Sequence, residues 1–305
     1  MSGIKISLLR ALMRGLAALP WSWLHALGRL LGHLFWRFDT REKQITQTNI
    51  ALCLPELMPQ QQADLVRESL IDFGQTAFEM PKLWLSPPEA TLAAIAEIDG
   101  EALLQQYLAE GRGVLVLAPH HGNWEMVGLY LGQRYGITSM YLPSDNEAIN
   151  ELVRLGRSRS GATLVPADTS GVRAVLKILK KGGIAGMLPD QVPKGAGAEP
   201  AAFFGHPALT MTLASNLLQK TGARAIVVYA LRQSRGGFKL VFRAPDDAIY
   251  SDDLAQSLAG LNASVEATAR DCPAQYQWEY KRFKGPSRRQ RDDVEDARSN
   301  REVAG

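Results

Sequence analysis

The residues best suited to chemistry stand in one run, Pro119-His120-His121-Gly122-Asn123-Trp124-Glu125. It follows an apolar stretch, 113–118 (GVLVLA), that reads as a buried strand, and a helical pattern begins near Trp124. In an open α/β sheet the loop leaving the carboxyl end of a strand is where ligands bind. His120 and Glu125 would lie about 140° apart on a continuous helix, so they meet only through a turn. Gly122 permits that turn, and Asn123 is a natural cap for the helix that follows. A carboxylate in the first helical turn is favoured by the helix dipole, stays ionised and stabilises a protonated imidazole beside it. A histidine poised in this way takes the proton from an attacking hydroxyl, a contribution of roughly 10²–10⁴ in rate. Backbone N–H groups near Gly122 and Asn123 are the nearest candidates for stabilising an oxyanion. His121 is four residues from Glu125 and competes with His120 for the role of base, and spacing alone leaves that choice open.

Other chemistries fit less well. A His-His pair at a strand end also suits a structural hydrogen-bonding cluster or part of a metal site. There is no HExxH, no cysteine cluster and no second histidine-rich stretch, so neither a metal nor a resident cofactor is expected. No GxSxG elbow is present, since GRSRSG at 156–161 has the wrong spacing, and neither Cys53 nor Cys272 lies in a nucleophile motif. Direct transfer is therefore preferred over a covalent acyl-enzyme. Arg154, Arg157 and Arg159 form a basic cluster suited to phosphate, or simply a solvated helix end. Asp190 follows a strand end, where it orients an arginine or a substrate, or caps the loop. Tyr276, Trp278 and Arg282 read as structural residues.

The elements that must hold these residues follow from the apolar pattern. Further strand-like runs lie at 139–142, 163–165, 184–188, 225–229 and 238–242, with helices over 147–159, 171–181, 210–220 and 251–270. That alternation argues for βαβ units and an α/β fold in which one mixed sheet is flanked by helices. Upstream, 39–54 is a polar amphipathic stretch, and a second helix runs from Pro59 through Met80. Residues 1–38 contain no Asp or Glu but carry Lys5, Arg10, Arg14, Arg29 and Arg37 among many Leu and Trp residues. The longest uncharged run there, 15–28, falls short of the roughly 20 residues a span needs. His25, Arg29, His33, Arg37 and Arg41 recur at every fourth position as a basic stripe, opposite Trp23, Leu27, Leu30, Leu31 and Leu34. This composition predicts a helix lying at the bilayer interface, with a soluble helix packed on the domain as its rival. The expected organisation is a membrane-associated helix over 1–38, the α/β domain over 39–285, and a charged, disordered tail over 286–305.

Taken together, these residues resemble the Gram-negative lipid A late acyltransferases of the lauroyl and myristoyl type, which share an H-x4-[DE] motif with glycerol-phosphate acyltransferases. The resemblance runs from about residue 5 to 285. Beyond HHGNWE it rests on NIALCLPEL (49–57), GRSRSG (156–161), LPDQ (188–191), FFGHPALT (203–210) and PAQYQWEYKRF (273–283). The sequence departs from the family pattern at Val192, where many members have Asp, and at Ala201-Ala202, where many have Val-Pro before FFG. The resemblance selects His120 over His121 as the base. It implies a mostly parallel sheet of the glycerol-phosphate acyltransferase type, and a cytoplasm-facing enzyme of the inner membrane. Its partners would be acyl carrier protein as donor, a glycolipid acceptor and the membrane, with no nucleic acid. Under that reading His120 and Glu125 are catalytic, while Arg157, Arg159, Asp190 and Asn123 contact substrate. The alternatives are a lysophospholipid or other glycolipid acyltransferase, a thioesterase or lipase using water, and a non-catalytic membrane adaptor.

Overall fold

The computed structural model describes residues 3–142, 147–193, 197–234 and 236–283. The tail expected over 286–305 lies outside the described residues. The chain opens on helices α1 (Gly3–Ala18), α2 (Trp21–Arg37), α3 (Arg41–Cys53) and α4 (Pro59–Leu85). One N-terminal helix was predicted and two are found. They are divided at Pro20, which precedes the first turn of α2 and, lacking an N–H and with its ring in the way, cannot continue α1.

Helix α2 lies against α4 at backbone distance. A side chain on Gly28 or Gly32 would put its Cβ 2.3 Å from the Cα of Gln75 or Ile71, so only glycine allows this approach. His25 lies on the same buried face, with its Nε2 2.8 Å from Glu79 Oε1. The expected basic stripe is therefore not uniformly exposed. Four residues overshoot a helical turn by about 40°, so a row that begins inside at His25 winds outward to exposed Arg29, His33 and Arg37. On the outer face Trp23, Leu30 and Leu34 are exposed with Leu27 between them, one narrow apolar line. Among the described residues no helix is long and apolar enough to cross a membrane.

Downstream come α5 (Pro88–Leu92), β1 (Ile95–Asp99), α6 (Glu101–Ala109), β2 (Val114–Leu117), α7 (Trp124–Tyr135), β3 (Thr138–Tyr141), α8 (Glu147–Arg159), β4 (Thr163–Pro166), α9 (Thr169–Lys180) and β5 (Ile184–Met187). A hairpin, β6 (Ala198–Phe203) and β7 (His206–Met211), leads to α10 (Leu213–Thr221), β8 (Arg224–Arg232), β9 (Phe238–Arg243) and α11 (Leu254–Asp271). The seven-stranded sheet has the order β1-β9-β8-β2-β5-β3-β4, parallel throughout except between β8 and β9. It is the mixed, mostly parallel α/β sheet that the sequence predicts. All four residues of β2 are buried. Val114 and Val116 join Leu104, Met126 and Val127 on one face, while Leu115 and Leu117 join Val175, Leu179 and Leu217 on the other. A strand covered on both faces reads as a continuous apolar run, which is why GVLVLA was legible.

Three strands were not predicted. Strand β1 is an edge with an exposed centre and two acidic residues, Glu97 and Asp99, among its five. β6 contains Pro200 and three alanines, and β7 takes in Thr210, so α10 begins at Leu213 rather than at 210. The β6–β7 turn places Phe204 and Gly205 at φ 50° and 74°, as a two-residue type I′ connection requires.

Candidate active site

Register builds the centre of the site. β2 and β5 pair in parallel with Leu117 opposite Met187, and Ala118 N–H donates to Met187 O at 3.0 Å. Three residues beyond each partner lie His120 and Asp190, so the two strands deliver them side by side at the carboxyl edge. His120 N–H donates to Asp190 Oδ2 at 2.9 Å, and the ring Nδ1 lies 2.8 Å from Asp190 Oδ1. An ionised carboxylate only accepts, so Nδ1 carries the proton and Nε2 presents its lone pair. Burial opposes ionisation of Asp190, but the field of His120 and its two hydrogen bonds hold the carboxyl below its ordinary range.

The carboxylate bonded to the His120 ring is thus Asp190, whereas Glu125 was the expected partner. Glu125 does occupy the first turn of α7, capped by Asn123, whose side chain accepts from Met126 N–H at 3.3 Å. Its carboxylate faces α8, where it takes both arms of the Arg157 guanidinium, Nε at 3.0 Å and Nη2 in a shorter contact. Burial works against the Glu125 charge, but Arg157 outweighs it and keeps the pKa low; His120 adds a smaller attraction. Arg157, read from the sequence as a phosphate-binding residue, is here paired with a protein carboxylate. Arg159 is exposed and donates to Leu85 O at 2.9 Å, and Arg154 is also exposed. Asn123 is sealed from solvent and donates to Glu79 Oε2 at 2.7 Å, so it braces the loop from within.

The structure separates the two histidines. His121 is fully buried, stacked on Tyr229 at 5.1 Å, and its Nε2 lies 3.1 Å from Cys272 O. Burial pushes its pKa down to about 4, so it stays neutral. The His120 side chain keeps 12% of its surface open. The backbone donors expected for an oxyanion are already taken: Gly122 N–H donates to Gln275 O and Asn123 N–H to Ala230 O, each at 2.8 Å. Gly122 has φ +57°, and a Cβ there would meet Ala230 O at 2.0 Å, so the turn needs glycine. The 273–283 segment does close over this loop, with Gln277 N–H donating to His120 O at 3.1 Å and Asn49 holding the carbonyls of Trp278 and Tyr280.

Sequence reasoning missed two features. Gln191 Nε2 lies 3.2 Å from His120 Nε2 and donates to Gln277 Oε1 at 2.9 Å. Its place directly after Asp190 was the available signal. The other is Glu79, buried in α4, which receives Arg232, His25 and Asn123. Burial alone would raise its pKa; Arg232, followed by His25 and Asn123, overcomes this and holds it at about 2. A depressed carboxyl contributes stability that is present above its unfolded value of about 4.3 and is lost as pH falls through the folded value. A Glu79→Gln variant is accordingly expected to be less stable than the parent at pH 7, with the gap narrowing between pH 4 and 2. Urea unfolding at stepped pH checks this.

Beside His120 lies an apolar pocket, lined by Val116, Trp124, Val127, Gly128, Leu131 and Leu164 among others, with Glu125 and Arg157 at its wall. Trp124 connects the two, its ring edge-on to His120 at 4.8 Å. Among the described residues no group of three or more His, Cys, Asp or Glu is gathered as metal ligands.

The H-x4-E run thus lies at the carboxyl edge of a mixed α/β sheet, beside an apolar pocket. The particular family follows from comparison: the chain belongs to the bacterial lipid A biosynthesis acyltransferases, whose family model matches residues 2–285. The lipid A biosynthesis lauroyltransferase of Escherichia coli K12 is 29% identical over 269 residues, covering 87% of each chain. The palmitoleoyltransferase of the same strain is 26% identical over 268 residues, 87% of this chain and 86% of the relative. A lipid A biosynthesis acyltransferase of Haemophilus influenzae is 25% identical over 281 residues, 90% and 88%. The activity of this chain is that of its family, acyl transfer in lipid A biosynthesis.

Proposed function

We propose that this enzyme moves a fatty acyl chain from the thioester of acyl carrier protein to a hydroxyl of a lipid A precursor, with His120 as general base. The observation that carries this reading is the Asp190–His120 pair, which fixes the tautomer with Nε2 free of its proton next to a cavity of acyl-chain character. Nε2 takes the proton of the acceptor hydroxyl as its oxygen attacks the thioester carbonyl. The imidazolium then returns a proton to the departing thiolate. Glu125 steadies the positive charge from the cavity side, and Arg157 keeps that carboxylate ionised. The thioester brings its own activation, so no metal or resident cofactor takes part. Purified enzyme incubated with acyl carrier protein thioesters and a lipid A precursor should yield acylated lipid by mass spectrometry. Free fatty acid with no acylated lipid would contradict the reading.

Chain selection is assigned to the cavity. Gly128 lines it, and a Cβ at that position meets nothing within 4 Å. Gly128→Ala should stabilise α7 by about 0.5–1 kcal/mol, whereas Gly128→Leu should fill the cavity and shift the product toward chains shorter by several carbons. Mass spectrometry of the acylated lipid from mixed donors reads the shift.

This reading puts the enzyme at the cytoplasmic face of the inner membrane, and the exposed line of Trp23, Leu30 and Leu34 beside Arg29, His33 and Arg37 supports a membrane-surface contact. Full burial of such apolar side chains contributes about 1.5–3 kcal/mol each. Replacing all three with Ala should therefore release the protein from anionic vesicles while leaving its thermal midpoint near the parent's. Unchanged vesicle co-sedimentation would contradict this placement.

A further inference from the structure

Acyl transfer through a tetrahedral intermediate requires a donor for the developing oxyanion, and removing one such donor costs about 10²–10³ in kcat. The backbone N–H groups of the loop do not supply it. Those of His120, His121, Gly122 and Asn123 donate to Asp190, Pro119 O, Gln275 O and Ala230 O. What stands at the reactive nitrogen is the side-chain amide of Gln191, 3.2 Å from His120 Nε2. Its NH₂ has two protons. One is fixed on Gln277 Oε1 at 2.9 Å, which orients the group and leaves the other directed at the imidazole lone pair. The next residue is anchored as well, with Val192 N–H donating to the Tyr280 hydroxyl at 3.0 Å. Gln191 itself is only half-buried, so substrate can reach it.

We infer that Gln191 is a further catalytic residue, an amide that covers the base in the resting enzyme and becomes the oxyanion donor when substrate arrives. This rests on the reading of His120 as general base. The acceptor hydroxyl displaces the amide N–H from Nε2 and gives its own proton to that nitrogen while the O–C bond forms. The carbonyl π electrons move onto oxygen, and the released N–H of Gln191 donates to that oxyanion. Collapse restores the carbonyl, breaks the C–S bond, and the thiolate leaves with the proton from His120. The distances allow it. A base works over about 2.6–3.2 Å and an oxyanion donor over about 2.7–3.1 Å, so a donor next to Nε2 lies within one hydrogen bond of both reacting oxygens.

The test compares Gln191→Ala, the near-isosteric Gln191→Glu, and His120→Ala in acyl transfer from acyl carrier protein thioester to a lipid A precursor. The expected result is a fall of about 10²–10³ in kcat for each Gln191 variant, with KM within threefold of the parent and the thermal midpoint preserved. A group that only holds the loop would move KM and the midpoint together with kcat. If Gln191→Ala does not fold, Gln191→Glu decides alone, because it keeps the volume but places an acceptor where a donor is needed. A kcat within threefold of the parent in a folded Gln191 variant, with His120→Ala inactive, overturns the oxyanion assignment while leaving the base intact. Full activity in His120→Ala overturns both.

Discussion

Asp190→Asn should leave a folded enzyme whose kcat is lower by about 10²–10⁴, as large a loss as removing the base. The carboxylate accepts two N–H groups of one residue, the backbone and the ring of His120. An amide can accept only one of them, because its other end is itself a donor. Turned one way, it sets N–H against the backbone N–H and displaces the loop. Turned the other, it drives the ring into the tautomer with the proton on Nε2, and the atom that must receive the substrate proton already carries one. The loss therefore falls on kcat rather than on KM. Steady-state kinetics with circular dichroism as a fold control measures it, and an Asp190→Asn enzyme with parental kcat would remove Asp190 from the mechanism.

The second large effect belongs to Glu125 and Arg157. Their pairing is bidentate, with the Glu125 side chain only 7% exposed. Arg157→Ala strands a buried carboxylate, at a cost of about 3–5 kcal/mol. Burial then dominates, and the carboxyl gains a proton and loses its hold on His120. Replacing both partners with apolar residues of similar volume removes the stranded charge and often returns such a site to parental stability. A Glu125→Leu/Arg157→Met double variant is thus expected to recover most of the unfolding free energy lost in Arg157→Ala, yet to remain at least about 10² below the parent in kcat. Urea unfolding and turnover measured on the same preparations separate the two effects. Recovery of activity along with stability would make the carboxylate of H-x4-E a purely architectural group.

What was legible in the sequence follows from what each signal depends on. β2, β5 and β8 are covered on both faces and announce themselves as apolar runs, and α8 was bounded correctly at Glu147 and Arg159. PHHGNWE does lie between β2 and α7 as its flanking patterns indicate, and Asn123 caps α7 as its residue type suggests. Partner choice was not legible. Asp190 is 70 residues from His120 and meets it only because β5 lies beside β2 in a given register. The fivefold spacing drew attention to Glu125 because it is local, yet helix α7 turns that side chain toward α8. His25 shows the same limit: an every-fourth-residue row looks like one face, but over three turns the drift carries it from the core to the surface. Edge strand β1 and the proline-containing β6 lack the composition by which buried strands are recognised.

The most direct measurement is single-turnover acyl transfer by His120→Ala and His121→Ala, with acyl carrier protein thioester and a lipid A precursor, read by mass spectrometry of the lipid. With His120 as base, His120→Ala should fold and form acylated lipid at least about 10² more slowly than the parent. His121→Ala, which loses only a buried neutral ring, should turn over at a comparable rate per folded molecule. Parental rates in His120→Ala, or a collapse confined to His121→Ala in folded protein, would contradict the account.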